Sequence, residues 1–215
     1  MTERVAGGTG MTAVAVFLVA LFSFAASRTD YSHVHQAVSE LGVLGAPHAV
    51  AWNLVGFIVP GLLLAVCGAG LATAIDGRRG VLWWLLVLSG LCFAGTGVVP
   101  GEMRNGSPIM ESPLTRGHLL LSNLAPLLWA IASFLLIRRV KKNPSWKPWT
   151  TRAVVYAVVS VGGFLGSIVA FGAIPGLAHM PALAQRFCFA FYFGWFLIMS
   201  LQLRSAVPRA RLTSA

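Results

Sequence analysis

Apolar residues along the chain gather into six long runs, and charge and turn-forming residues collect in the short segments between them. The runs are Met11–Ser27, Ala49–Ile75, Val81–Val99, His118–Ile137, Ala153–Ile174 and Ala182–Leu203. A hydrocarbon layer of about 30 Å takes about 20 helical residues to cross, and each run meets or nearly meets that length. The pattern predicts an all-α integral membrane six-helix bundle, one transmembrane domain over residues 1–215. In the first run, Ala25 and Ser27 have the small-residue spacing of a cleaved leader. The region ahead of it holds Glu3 and Arg4 and lacks a clear basic bias, so a retained span is expected.

Punctuation inside the runs refines the helices. Pro60 and Pro126 predict kinks in the second and fourth spans, because proline offers no N–H to the preceding turn. Gly162, Gly166 and Ala170 recur at small-xxx-small spacing in the fifth span and predict close helix packing there.

Composition agrees with the pattern. Apolar residues are 57% of the chain and charged residues 10%, too few charges to cover the surface of a water-soluble domain of this size. The net charge of +10 would suit nucleic acid if it formed one patch, but the basic residues sit in short segments between spans. With the N-terminus inside, 12 of them fall on the cytoplasmic side: Arg4, Arg78, Arg79, Arg138, Arg139, Lys141, Lys142, Lys147, Arg152, Arg204, Arg209 and Arg211. Only 4 fall outside: Arg28, Arg104, Arg116 and Arg186. That bias predicts a multi-pass protein of a bacterial cytoplasmic membrane with both termini cytoplasmic, and no nucleic-acid partner. Cys67, Cys92 and Cys188 lie within apolar runs without metal-ligand spacing and read as small buried hydrophobes.

This topology sorts the reactive side chains to one side. His33, His35, His48, His118 and His179, with Asp30, Glu40, Glu102 and Glu111, all fall at the outer ends of spans or in outer loops. In the first outer segment, helical spacing puts His33, Gln36 and Glu40 on one face and Tyr31, Val34, Val38 and Leu41 on another. Asp30 would cap this short interfacial helix and Gly42 would stop it. Glu102 follows the third span and His118 opens the fourth, with a turn signal at Asn105-Gly106 between them. Gln185-Arg186 begins the sixth.

The pattern Asp30, Ser39-Glu40-Leu41-Gly42, Pro100-x-Glu102, Gly117-His118 and Gln185-Arg186 resembles the bacterial six-span family catalogued as domain of unknown function nine-nine-eight. The resemblance covers nearly the whole chain, and Ser-Glu-Leu-Gly is its most specific part. Members often carry aspartate where this chain has Glu102, which leaves an acid in place. The resemblance implies a fold and a site and brings no activity with it.

Three functions fit these residues. The first is a membrane-embedded enzyme acting on a lipid or isoprenoid-like substrate. Asp30, Glu40 and Glu102 would supply acid–base chemistry, with His118 as general base. In a metal-assisted variant, His48, His118 and His179 would hold a divalent metal, although no paired-histidine motif supports it. Phe187, Phe189, Phe191, Tyr192, Phe193, Trp195 and Phe196 could wall a cationic intermediate in cyclase-like chemistry, against the plainer reading of an aromatic belt facing lipid. The second function is a lipid-binding or transport protein in which Arg186, Gln185, His33 and Trp195 contact the ligand. Few strongly polar residues other than Asn123 lie within the spans, so a pathway for ions or polar solutes is disfavoured. The third is an accessory subunit whose outer loops are pinned by ion pairs such as Arg186 with Glu40 or Glu102. A nucleophile elbow, a P-loop and a complete dinucleotide fingerprint are all absent.

Overall fold

In the computed structural model, which describes residues 2–104, 107–178 and 180–212, the apolar runs are six helices. They are α1 (Glu3–Ala26), α2 (Ala49–Asp76), α3 (Val81–Val98), α4 (Pro113–Lys142), α5 (Thr150–Ala173) and α6 (Pro181–Leu212). All six are long and apolar enough to cross a membrane. The chain is an integral, multi-pass membrane protein. Its exterior fits that solvent: Val19, Leu120 and Val169 are each about two-thirds exposed, at 67%, 66% and 65%, in positions that water would penalise and hydrocarbon does not.

The helices close on a core of aromatic rings. Phe17 of α1 stacks on Phe193 of α6 at 4.2 Å and meets Phe93 of α3 edge-on at 6.1 Å. Trp129 of α4 meets Tyr192 and Trp195 of α6 edge-on, at 5.3 and 6.3 Å. The α6 aromatics therefore do not form a lipid-facing belt. Tyr192, Phe193, Trp195 and Phe196 are buried, and only Phe187 of the series is a large exposed ring.

Close approach is set by glycines, though not those the spacing singled out. A Cβ on Gly61 would run into the backbone of Ala94 and lie 2.7 Å from the Gly90 carbonyl oxygen, and one on Gly90 would lie 2.7 Å from the Gly61 oxygen. Thus α2 and α3 pack backbone to backbone. Gly162 and Gly166 have open space where a Cβ would go, so the predicted close packing through them is corrected. Their neighbour Gly163 lies against the Phe191 ring instead.

Both prolines act, by different means. Pro60 has no N–H for the Gly56 carbonyl, and the turn ahead of it widens into a π-helix over Asn53–Ile58. Pro126 lies inside α4 and leaves the Ser122 carbonyl without its helical donor.

Loops divide between two ends. At one end, Gly77 in the left-handed region closes α2, and the Asn143 side-chain amide donates to the Ile75 carbonyl at 2.7 Å. Arg139 lies 3.7 Å from Asp76 at this end, and the Arg152 guanidinium sits 4.5 Å over the Trp149 ring. The other end carries the 99–112 loop, a short helical turn at Pro175–Ala178, and a strap over residues 27–48. Strands β1 (Met103–Arg104) and β2 (Ser107–Pro108) pair antiparallel in the 99–112 loop; the predicted turn at Asn105-Gly106 lies outside the described residues.

The strap is not the helix predicted over 30–42. It is a series of turns interrupted by a 3-10 helix at Val38–Gly42. Asp30 caps nothing; its carboxylate pairs with Arg28 at 2.7 Å. Gly42 has no positive φ and acts by close approach: a Cβ there would strike the Asn53 side chain, whose amide donates to the Gly42 carbonyl at 2.8 Å.

These contacts predict a contrast in thermal unfolding of the detergent-solubilised protein. Gly90→Val should lower stability by about 1–3 kcal/mol through overpacking. Gly162→Ala should be neutral or stabilising by up to about 1 kcal/mol, because Ala favours helix. Equal losses from both would contradict the packing described.

Candidate functional site

Two adjacent side chains in the first turns of α6 fasten the strap. The Gln185 carbonyl oxygen accepts the Val38 N–H at 2.6 Å. The Arg186 guanidinium donates from Nη2 to the Tyr31 hydroxyl at 2.7 Å, from Nη1 to the Gln36 and Ala182 carbonyls at 2.9 and 2.8 Å, and from Nε to His33 Nδ1 at 3.2 Å. Because His33 accepts through Nδ1, it is held neutral; burial first, and the Arg186 charge second, push its pKa below the usual histidine value. Burial likewise raises the Tyr31 pKa.

The carboxylates chosen from the sequence do not gather with these groups. Asp30 is exposed and occupied by Arg28, which lowers its pKa. Glu40 turns back on its own helix, accepting the Ala37 N–H at 2.7 Å. Glu102 is held by its backbone, whose N–H donates to Thr115 Oγ1 at 3.0 Å. Among the described residues, Arg186 forms no ion pair with Glu40 or Glu102; its partners are neutral oxygens and an imidazole.

The histidines also separate. His48 is exposed at the start of α2 with φ 59°, a left-handed conformation that histidine adopts more readily than most residues. His118 is buried in α4, and His179 lies outside the described residues. Among the described residues no three His, Cys, Asp or Glu side chains come close enough to hold a metal. Trp195 is 1% exposed within the aromatic core and lines neither of the larger cavities.

His118 stands apart from the other candidates. Its Nδ1 lies 2.9 Å from both the Thr96 and the Val99 carbonyl oxygens at the end of α3. Carbonyls have no hydrogen to give, so Nδ1 carries the proton. In the neutral ring, Nε2 is then the lone-pair nitrogen. His118 lines a cavity of about 270 Å³ between α3, α4, α5 and α6, beneath the strap. Five aromatic rings, Phe57, Phe93, Phe164, Phe189 and Tyr192, line it together with aliphatic side chains such as Leu119 and Ile168. Ser39 of the strap and Gln185 also line it, so the fastened strap roofs the cavity; Ser122 and Asn123 add polar groups from α4. Cavity and proline coincide, since Pro126 lines it one turn beyond Ser122.

The family described as "Protein of unknown function (DUF998)" matches residues 11–202. The chain belongs to that family. No curated protein and no solved structure matches it. The DUF998 match spans every element that builds the cavity and the strap. Of the sequence elements that carried the resemblance, Ser39-Glu40-Leu41-Gly42 forms the 3-10 helix over the cavity, Gly117-His118 supplies its imidazole, and Gln185-Arg186 fastens the roof.

The sequence by itself did not mark Tyr31, Ser39 or Ser122 as functional groups, and it offered Tyr192 only as part of an aromatic wall. Ser122 and Asn123 carried a usable signal, because two polar residues one turn before a proline mark a helix stretch whose backbone is opened.

The clamp predicts a response to acid. His33 has a depressed folded pKa, so the native state binds fewer protons than the unfolded chain. The strap is favoured above the unfolded value of 6.5 and loosened as pH falls below it, when His33 can no longer accept from Arg186. Hydrogen exchange at Ala37 and Val38, corrected for intrinsic rate, should rise on acidification. Arg186→Gln should raise it on the order of tenfold at neutral pH. Exchange unaffected by either change would contradict the clamp.

Proposed function

We propose that this protein binds a lipid or isoprenoid-like molecule in the cavity beneath the strap, with its apolar chain among the aromatic rings and its polar end beside His118. The observation that carries the reading is the cavity itself. Its wall is largely apolar and carries five aromatic rings, its polar groups converge from the strap, α3, α4 and α6, and its volume of about 270 Å³ is near the lower end of ordinary small-ligand sites, about 300–1,000 Å³. Such a volume accommodates the head and first chain segment of a lipid, and the remainder must leave the bundle. The α4–α5 contact is the least extensive of the sequential interhelical contacts, and Asn123 and Ile168 are exposed at the cavity on these two helices. A chain would pass between them into the bilayer.

A second reading adds chemistry to binding. With Nδ1 committed to two carbonyls and Nε2 left to an apolar cavity, His118 has the arrangement of an oriented general base. Glu40 and Glu102 are less suited to acid–base roles there, because neither is among the lining residues. A bound lipid recovered in altered form from the wild type, and intact from His118→Asn, would favour catalysis over binding alone.

We further propose that the strap end faces away from the cytoplasm, on the strength of the 12-to-4 distribution of basic residues. A reporter fused after Gly106 should then behave as extracytoplasmic and one after Asn143 as cytoplasmic; the reverse result would invert the site.

Lipid binding is tested by mass spectrometry of the gently purified protein. Wild type should carry a lipid through delipidating washes. Ser122→Phe, which fills the cavity, should reduce its retention roughly tenfold or more, whereas Gly162→Leu, in open space on α5, should not. Equal retention by both variants would sink the reading.

A further inference from the structure

We propose that the cavity selects an uncharged lipid headgroup bearing a free hydroxyl, whose O–H donates to His118 Nε2. This inference rests on the lipid-binding reading and names the class of molecule that would occupy the same site.

Charge is the first argument. None of the described residues lining the cavity is Asp, Glu, Lys or Arg. A phosphate or carboxylate placed there would lose its hydration without gaining a countercharge, which costs far more than apolar contacts return. Arg186 is next in sequence to Gln185, but its guanidinium is turned to Tyr31, His33 and Gln36 of the strap. It lines a separate groove between α1 and α6 instead. An ammonium head would find aromatic faces but no carboxylate.

The second argument is which hydrogen-bonding capacity remains after the protein's own bonds are made. His118 Nδ1–H is spent on Thr96 and Val99, so Nε2 accepts. Ser122 Oγ–H and one Asn123 Nδ2–H are both spent on the Leu119 carbonyl, at 3.0 and 2.7 Å. What they retain is mainly acceptor capacity, the Ser122 oxygen and Asn123 Oδ1. Ser89 gives its hydrogen to the Ala125 carbonyl at 2.8 Å, so the Tyr192 hydroxyl at 3.0 Å donates to Ser89 and keeps only lone pairs. Donors remain as well: Gln185 Oε1 is taken by Val38, which leaves its amide N–H groups to donate, and the second Asn123 Nδ2–H and the Ser39 hydroxyl are unspent among the described residues. A site whose His118 Nε2 can only accept and whose other groups both accept and donate matches a hydroxyl, which donates once and accepts as well. An ether or ester, which only accepts, could meet those donors but would leave the buried His118 Nε2 unpaired, which is penalised.

The test uses three photoactivatable probes that share one diazirine-bearing long chain and end in a hydroxyl, a methyl ether or a phosphate. Each is offered to the protein in nanodiscs of zwitterionic phosphatidylcholine, and crosslinks are mapped by mass spectrometry. The expected result is labelling of cavity residues by the alcohol, about fivefold or more weaker labelling by the ether, and none by the phosphate. In His118→Asn the amide can still donate to Thr96 and Val99 but no Nε2 remains, and the preference for alcohol over ether should collapse. Comparable labelling by ether or phosphate in the wild type would overturn the hydroxyl assignment and leave lipid binding standing. Failure of all three probes to label the cavity would overturn both. The wild-type comparison decides the matter if the variant does not fold.

Discussion

A loop lying over the mouth of a membrane bundle must satisfy its backbone without water on its inner face, and here that requirement falls on two residues of one helix. Gln185 takes the Val38 N–H, and Arg186 spreads its donors over Tyr31, His33 and the Gln36 carbonyl. The strap in turn brings Ser39 over the cavity, and Gly42 close enough to α2 for Asn53 to bond it. Release of the α6 end would unroof the cavity without disturbing the aromatic core below. Roof and core are therefore separable, although Phe93 and Tyr192 belong to both core and cavity wall, and the strap is where a change in access would begin.

The bundle is built from contacts of two kinds. Where α2 meets α3, glycines let backbones touch; where α1, α3, α4 and α6 converge, large rings interlock. Trp129 meets Phe164 edge-on at 5.8 Å between α4 and α5, but among the described residues neither kind of contact joins these helices nearer the strap, and the cavity lies in that gap. Pro126 contributes, since a proline-interrupted helix leaves space and a spare carbonyl beside it.

The helices were legible because crossing a membrane demands about 20 apolar residues in succession, and all six expected spans lie within or nearly within observed helices. The Pro60 distortion was legible in place, if not in its form as a π-helix. Rotation about each helix axis was not, because spans that are apolar all round give no periodic signal of which face is buried; Gly162 and Gly166 were misread for that reason, and so was the α6 aromatic series. The strap defeated helix periodicity through local competition. Arg28 occupies Asp30, the Gln36 side chain takes the Ser32 N–H at 2.6 Å, and Glu40 takes the Ala37 N–H. Two of the polar groups counted on for a site, Asp30 and Glu40, are thus consumed in shaping one loop. His118, Gln185 and Arg186 were visible as candidates, but only the fold separates the first two, which line the cavity, from the third, which holds its roof.

The most direct measurement is a high-resolution structure of the wild-type protein in nanodiscs of native lipid. Elongated density should enter between α4 and α5, run along Phe164 and Phe189, and end within hydrogen-bond distance of His118 Nε2. A cavity holding only water, or closed by repacking of Phe57 and Phe93, would contradict lipid binding and leave the strap and its clamp as architecture alone.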